Sequence, residues 1–440
     1  MSETLSLPAD FEITSEMQEV IDQIGRGNNL FITGKAGSGK STLLTYLRTS
    51  TFPEETIFCA YTGVAALNIG GETLHKFFGF LPDVTLAKVK SEDYHPKNQK
   101  IMKILKVLVI DEVSMVRADL IDIIDAALRR YGPRPSKPFG GVQIVMFGDL
   151  YQLPPIVSGE EREFFDDNYR SEFFFDATSW NKDPFEVIEL TKVYRQKDEE
   201  FIEILNGIRL NQVSKEQIER LNEFVDTSFT PPEDDFYITL TATKALSARI
   251  NKEKLDALDG NSYSAPASIM GQFSEKIFPT ERFLDFKVGA QVMLINNDPD
   301  QRWANGTLAR IIGVTTKSDT QIENVTLRLS NSGVEHVVDR HVWDVLKPRY
   351  LNGRLDYEVM GSFKQFPFRL SWAVTVHKGQ GKTFQKVIID FTHAAFAAGQ
   401  MYVALSRCTT LEGMKLRVPI KMDQVLVDAR VASYMNKASR

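Results

Sequence analysis

The sequence predicts an α/β protein built on parallel, doubly wound sheets, and three observations predict it. Apolar runs of strand length recur through the first third of the chain: LFIT (30–33), TIFCAYTG (56–63), VLVIDE (107–112) and VQIVMFGD (142–149), each ending at a polar motif. Helical patterns lie between them, as in STLLTYLRT after the first run and RADLIDIIDAALRRY (117–131), with apolar residues at 120, 121, 124, 127 and 128. A glycine-rich loop, GKAGSGKS (34–41), joins the first strand to its helix. Strands alternating with helices imply a parallel sheet with right-handed crossovers. In such sheets ligands bind at the carboxyl ends of the strands, where all four motifs fall.

The first loop fits the phosphate-loop pattern Gly34-x4-Gly39-Lys40-Ser41. Its glycines let backbone N–H groups converge on phosphate oxygens, and the helix that follows points its positive end at them. Gly34, Ala36, Gly37, Ser38, Gly39, Lys40, Ser41 and Thr42 are the expected nucleotide-binding residues. Lys40 would reach the β- and γ-phosphates, and Ser41 would ligate Mg²⁺. The strand 107–112 ends in Asp111-Glu112. Asp111 is the expected second Mg²⁺ residue, through water, and Glu112 is placed to orient and deprotonate an attacking water. That pair argues for hydrolysis over transfer to a small substrate, since a kinase needs no water-activating base. In GDLYQLPP (148–155), Gln152 stands just past a strand, where an amide can sense a γ-phosphate.

The stretch LPDVTLAKVKSEDYHPKNQK (81–100) is polar and strand-poor and reads as a surface insertion. Beyond it, 185–255 and 365–440 regain α/β character, for example in FYITLTATK and KVIIDF. Between them, 285–350 switches to short strands, with a hairpin-type turn at Asn305-Gly306, and suggests a small β-barrel inserted in the second unit. A second glycine stretch, VHKGQGKT (376–383), ends like the first loop. However, Val376 stands where a phosphate loop needs its first glycine, and the strand-like FQKVIID follows in place of a helix. It is not expected to hold a second nucleotide.

The bulk numbers bound the class. The chain has 440 residues, 43% hydrophobic and 25% charged, which is ordinary for a globular protein of two to four domains. Its formal charge of −6 argues against nucleic-acid binding by bulk charge but leaves room for a local basic channel. The two cysteines, Cys59 and Cys408, have no metal-ligand spacing and read as reduced thiols. No secretory signal and no apolar run long enough for a membrane span is seen, so a cytoplasmic or otherwise intracellular location and no membrane partner are expected.

With these residues assembled, the chain resembles the Pif (petite integration frequency) family of DNA helicases, superfamily 1 subclass B. The resemblance rests on AYTGVAALNIGGETLHKFF (60–78), DEVSM (111–115), GDLYQLPP (148–155), LTKVYRQ (190–196), SWAVTVHKGQGKTF (371–384) and YVALSRC (402–408), in that order. It implies two RecA-like P-loop domains, 1A and 2A, with ATP bound between them. It also implies a motor that moves 5′ to 3′ on single-stranded DNA and unwinds tailed or forked duplex. The expected division is 1A at 1–184, with a short 1B wedge insertion at about 79–100; 2A at 185–260 and 361–440; and a Src-homology-3-like barrel, 2B, at 261–360.

The resemblance also implies roles. Arg195 and Arg407 would sense the γ-phosphate from 2A, Tyr194 would stack on adenine, and Gln18 would read it. The second glycine stretch becomes the family's motif V. There Thr375, His377 and Lys378 would meet DNA phosphate while Gly379, Gln380 and Gly381 lie near the γ-phosphate, so one loop would touch both ligands. Thr62, Gly63, Asn68 and His75 on the 1A side, and Thr243 and Lys244 on the 2A side, are further expected DNA contacts. Phe77, with Phe78 and Phe80, would stack on bases, or else form a hydrophobic core corner. A complete site within one chain permits a monomer. The competing readings are an ATP-gated DNA clamp and a RecD-like motor subunit without unwinding of its own.

Overall fold

A computed structural model describes residues 7, 11–81, 83–182, 185–196, 198–318, 321–351, 354–392 and 397–438. The chain divides into two compact units. The first comprises Met1–Tyr194, Leu346–Val359 and Asp428–Arg440, and the second Arg195–Val345 and Met360–Val427.

The first unit is built on a six-stranded sheet: β1 (Asn29–Gly34), β2 (Thr56–Ala60), β3 (Glu72–Thr73), β4 (Val107–Asp111), β5 (Gln143–Phe147) and β6 (Phe185–Leu190), in the order β3-β2-β4-β5-β1-β6. Every pairing in it is parallel. The strands read as continuous apolar runs because both faces are covered. Leu30 and Ile32 of β1, Val109 of β4, and Val145 and Phe147 of β5 share one core with Leu43, Leu44 and Leu47 of α2 (Lys40–Ser50). α1 (Ser15–Arg26) closes the same core with Met17, Val20 and Ile24; Thr14 caps its start by accepting from the Met17 amide, and Gly27, at φ +80°, ends it.

Several boundaries differ from those expected. The strand at 185–190 pairs with β1 along its whole length, from Asn29↔Phe185 to Gly34↔Leu190, so the first unit runs on to Tyr194 rather than ending at 184. The segment 346–359, expected in the barrel, clusters with the first unit, where the Leu346 carbonyl accepts from Lys76 Nζ at 3.3 Å. The helix Ala429–Ala438, expected in the second unit, also belongs to the first. Arg430 forks onto Glu172 at 2.7 and 3.1 Å, and the Tyr434 ring stacks on Phe175 with centroids 4.3 Å apart. The insertion 81–100 is strand-poor as expected, but it is packed rather than merely solvated. Val89 is buried, Tyr94 Oη donates to the Phe78 carbonyl at 2.7 Å, and Asn98 Nδ2 donates to the Phe77 carbonyl at 2.8 Å.

The second unit has a four-stranded parallel sheet in the order 373–375, 238–241, 387–390, 414–416. The β-rich stretch between its halves forms a five-stranded antiparallel sheet, 335–338, 321–329, 308–318, 291–294 and 368–370, with two smaller sheets beside it. Phe286, Phe366, Phe368, Trp303 and the inward residues of these strands make its core. The expected turn at Asn305-Gly306 connects 291–294 to 308–318, with Gly306 at φ +103°. Among the described residues no helix is long and apolar enough to cross a membrane.

Candidate nucleotide-binding site

The glycine loop leaves the carboxyl end of β1 between β5 and β6 and enters α2. Gly34 has φ +151°, and a Cβ there would lie 2.6 Å from both the Leu190 carbonyl oxygen and Ser38 Oγ, so no larger residue fits. Gly37 (φ +81°) and Gly39 (φ +85°) complete the turn. Gly39 caps α2 without a side-chain hydrogen bond, which leaves the first amides of an 11-residue helix for an anion. Lys40 lies back across the loop, with Nζ donating to the Gly34 carbonyl at 2.7 Å and the Lys35 carbonyl at 3.0 Å. Its ammonium is thus held over the cradle that phosphate oxygens would fill.

Two side chains flank this loop. Tyr194 N donates to the Gly37 carbonyl at 2.9 Å, and its half-exposed ring lies beside Gly39. Gln18 is exposed on α1 next to Met17, which also reaches Gly39, and its Nε2 donates to Asp22 Oδ1 at 2.9 Å.

Asp111 ends β4, and Glu112 turns the chain sharply at φ +52°, its amide donating to Asp111 Oδ1 at 2.8 Å. Burial, reinforced by the neighbouring Glu112 carboxylate, pushes the Asp111 carboxyl up to about 7; the Glu112 amide and Lys40 work against that rise. Gln152 is 9% exposed, with Nε2 donating to Asp149 Oδ2 at 3.3 Å. Asp149, fully buried just after β5, also accepts from the Tyr151 amide. Asp149 positions Gln152, a role the sequence reading missed although the residue stands in the same motif.

In the second unit Thr375 caps the short turn Val376–Gly379, accepting from the Lys378 amide at 3.3 Å. Val376 is fully buried, Gly381 sits at φ +77°, and no phosphate-facing helix follows, as expected for a loop that is not a second nucleotide cradle. Thr375 is itself buried, so His377 and Lys378 form the exposed surface of this turn. Both have pKa values lowered first by burial; Lys244 contributes to each and Arg369 to Lys378. Lys244 opens the helix Lys244–Asp256 behind its cap Thr243, and both are exposed. His377, Lys378 and Lys244 are thus brought near one another.

Both expected arginines are anchored on this loop. Arg195 Nε donates to Thr383 Oγ1 at 2.7 Å and Nη1 to the Ser406 carbonyl at 3.2 Å. Burial draws its pKa down to about 10. Gln196, not singled out from sequence, ties the same strand end to Ser406 and Cys408 through their carbonyls. Arg407 is 1% exposed, and its guanidinium donates to the Val403 carbonyl, the Lys382 carbonyl and Ser406 Oγ at 2.8, 3.3 and 2.8 Å. Arg407 is therefore a buried charge behind the loop, not a side chain presented at its surface. Gly379 is buried against Leu240, and Gln380 is half-buried beside it.

On the first unit, Thr62 caps α3 (Gly63–Asn68) by accepting from the Ala65 amide at 3.2 Å, and Asn68 is exposed at its far end. His75 lies on α4 (Leu74–Phe78), its pKa lowered by burial and then by Arg117. Phe77 corrects an expectation. It is 1% exposed and packs edge-on against Phe78 with centroids 4.9 Å apart. Phe78 and Phe80 are buried as well, so these rings form the core corner and have no face left for a base.

Known proteins fit this geometry. A profile of the PIF1-like helicase family matches residues 12–219. The chain is 33% identical to the mouse ATP-dependent DNA helicase PIF1 over 96% of its own length and 62% of that protein's. It thus spans less than two thirds of that relative. It is 30% identical to the ATP-dependent DNA helicase Pif1 of Bdellovibrio bacteriovorus, over 97% of this chain and 92% of that one. Among solved structures, Bacteroides Pif1 in complex with ADP-AlF4 superposes with a TM-score of 0.86 at 36% identity, covering 98% of each chain. The same Bacteroides protein bound to single-stranded DNA gives 0.68 at 36% identity over 97% of each. The chain is a member of the PIF1-like helicase family.

Proposed function

We propose that this chain is an ATP-driven DNA helicase that translocates 5′ to 3′ on single-stranded DNA and unwinds tailed or forked duplex. One observation carries the reading: the Lys40 phosphate loop and the Asp111-Glu112 pair stand at the carboxyl ends of two strands of one parallel sheet, with β5 between them, in a chain whose relatives are named ATP-dependent DNA helicases. The DNA-bound and ADP-AlF4-bound forms of the Bacteroides relative support both ligands.

In this reading Lys40 leaves the loop carbonyls for the β- and γ-phosphates, and the α2 amides hold the remaining oxygens. The donor set suits Mg²⁺: Ser41 offers a hydroxyl in the first turn of α2, and Asp111 offers a half-buried carboxylate at the end of β4. Among the described residues no cluster of three or more His, Cys, Asp or Glu side chains could hold a metal by itself. This fits an ion that keeps waters and leans on substrate phosphates. When bound, Mg²⁺ would neutralise developing charge on those phosphates. Glu112 orients the attacking water and accepts its proton, and Gln152, fixed by Asp149, senses the γ-phosphate. Arg195 supplies positive charge to the γ-phosphate, with the buried Arg407 charge behind it. Tyr194 and Gln18 hold the adenine. Thr62, Gly63, Asn68, His75, Thr243, Lys244, His377 and Lys378 grip DNA phosphates. The first unit is read as 1A with a 1B wedge, the parallel part of the second as 2A and its β-rich part as the 2B barrel. A single copy of the chain suffices for the reaction.

Displacement of duplexes tailed with a 5′ or a 3′ single strand tests the reading. ATP-dependent unwinding of the 5′-tailed duplex alone is expected, and Lys40→Ala should abolish it and ATP turnover while leaving a folded protein. ATP-dependent DNA binding without displacement would instead support a clamp. Retained unwinding by Lys40→Ala would remove the loop from the motor.

A further inference from the structure

The lysine that makes the second glycine stretch look like a phosphate loop has a different partner. Lys382 Nζ donates to Asn305 Oδ1, and its aliphatic stem lies on Gly306, whose missing Cβ would sit 3.5 Å from Lys382 Cβ and Cγ. The turn it grips is firmly built. Asn305 N donates to Asn297 Oδ1 at 2.9 Å, Gly306 N to the Leu294 carbonyl at 2.8 Å, and Thr307 N to the Ala304 carbonyl at 3.0 Å. All of this lies on the β-rich insertion of the second unit.

The same position serves the two arginines, Arg407 through the Lys382 carbonyl and Arg195 through the Thr383 hydroxyl. The Lys382 carbonyl accepts from Arg407 Nη1 at 3.3 Å, and the next residue, Thr383, accepts from Arg195 Nε at 2.7 Å. One residue earlier, Gly381 at φ +77° leaves the loop a soft joint. Lys382 N also donates to the Gly379 carbonyl at 3.0 Å, so loss of the side-chain anchor loosens the 382–383 segment about that joint without releasing it, and both arginine contacts loosen with it.

We propose that Lys382 is a positioning residue that fixes the 382–383 peptide to the Asn305-Gly306 turn of the insertion and so holds Arg195 and Arg407 in place for ATP hydrolysis. This rests on the reading that Arg195 acts on the γ-phosphate. The lysine touches neither nucleotide nor DNA in this assignment. Its effect belongs to the turnover step and not to substrate affinity, because orientation of a transition-state charge is what is lost.

The test compares Lys382→Met, Asn305→Ala and the double variant in DNA-stimulated ATP turnover, with Arg195→Ala alongside. Lys382→Met keeps the stem that packs on Gly306 and removes only the anchor. Both single variants should lower kcat about tenfold, the factor that roughly 1.4 kcal/mol of barrier represents. The KM for ATP and affinity for single-stranded DNA should stay within about twofold, the scale of uniform-binding effects left untouched. The double variant should be no worse than either single one, because both cut the same link. Wild-type kcat in Lys382→Met or Asn305→Ala, or fully multiplicative losses in the double variant, would overturn the proposal. Wild-type turnover in Arg195→Ala would instead overturn the reading beneath it. A KM that rises with kcat unchanged would place Lys382 in ATP binding and also overturn the positioning role.

Discussion

Phe77 illustrates how much a single side chain's meaning depends on neighbours far away in sequence. Its motif, HKFFGF, suits either a base-stacking platform or a core corner, and what decides is the return of residues 94–98 over it. Asn98 takes the Phe77 carbonyl, Tyr94 takes that of Phe78, and the ring is left 1% exposed. Phe77→Ala should therefore cost about 3–5 kcal/mol of stability, as buried phenylalanines do, and Phe77→Leu far less. Urea unfolding of the two variants checks this. DNA affinity per folded molecule should not change, and a selective loss of DNA binding in a fully stable Phe77→Ala protein would restore the stacking role. The phosphate loop was legible without such help, because its constraints are local. A glycine at φ +151° against Ser38, and a lysine one step after the last glycine whose ammonium meets the Gly34 and Lys35 carbonyls, are set within the loop itself. Asp149 was harder to see, since its work is done through Gln152 and shows only once both side chains are buried.

At the scale of elements, strands were legible and their partners were not. FEVIEL stands in the segment 185–255, which reads only as α/β in character, and six-residue pairing with β1 assigns it to the first sheet. Likewise the strands around 346–359 read as part of a run of short strands. Their membership in the first unit depends on contacts such as that of Lys76 with Leu346, 270 residues away in sequence. Period and composition fix what a segment becomes, whereas register and partner are decided by surfaces it meets later. The edge strand 373–375, which launches the motif V turn, offers a prediction at this scale. Asn251, on the helix Lys244–Asp256, donates to the Ala373 carbonyl at 2.8 Å and accepts from its amide at 2.9 Å, closing the free edge. Ala373 is buried, so Asn251→Ala leaves a buried amide and carbonyl without their partner, at about 1–3 kcal/mol for such a group. Asn251→Asp keeps the acceptor and loses the donor, so it should fall between wild type and Asn251→Ala in urea midpoint. Equal stability of all three proteins would show that the strand edge is held by other contacts.

For the molecule as a whole, the proposed function poses the question of how a chain with a formal charge of −6 would hold a polyanion. The acidic balance keeps non-specific attraction low, and the grip then depends on a few cations gathered at loop ends. Lys244, His377 and Lys378 are the group proposed for that grip. They are exposed, drawn from a helix start and a strand-end turn, and close enough that Lys244 lowers the pKa of both of the others. Burial and the nearby Lys244 lower the pKa of His377 and Lys378, and a phosphate seated among the three cations would offset their mutual repulsion. Binding of single-stranded DNA should weaken with salt, the slope of log K against log salt changing by about 0.7 for each phosphate neutralised. Lys244→Gln and Lys378→Gln should each flatten that slope by about that amount, and the double variant by about twice it. Titrations of a labelled oligonucleotide at several salt concentrations measure it. The ATP turnover rate at saturating DNA should remain near wild type in Lys244→Gln, which separates grip from chemistry. If the slopes of both single variants equal that of the wild type, the charges that hold DNA lie elsewhere on the chain, and the motif V turn would be left with nucleotide alone.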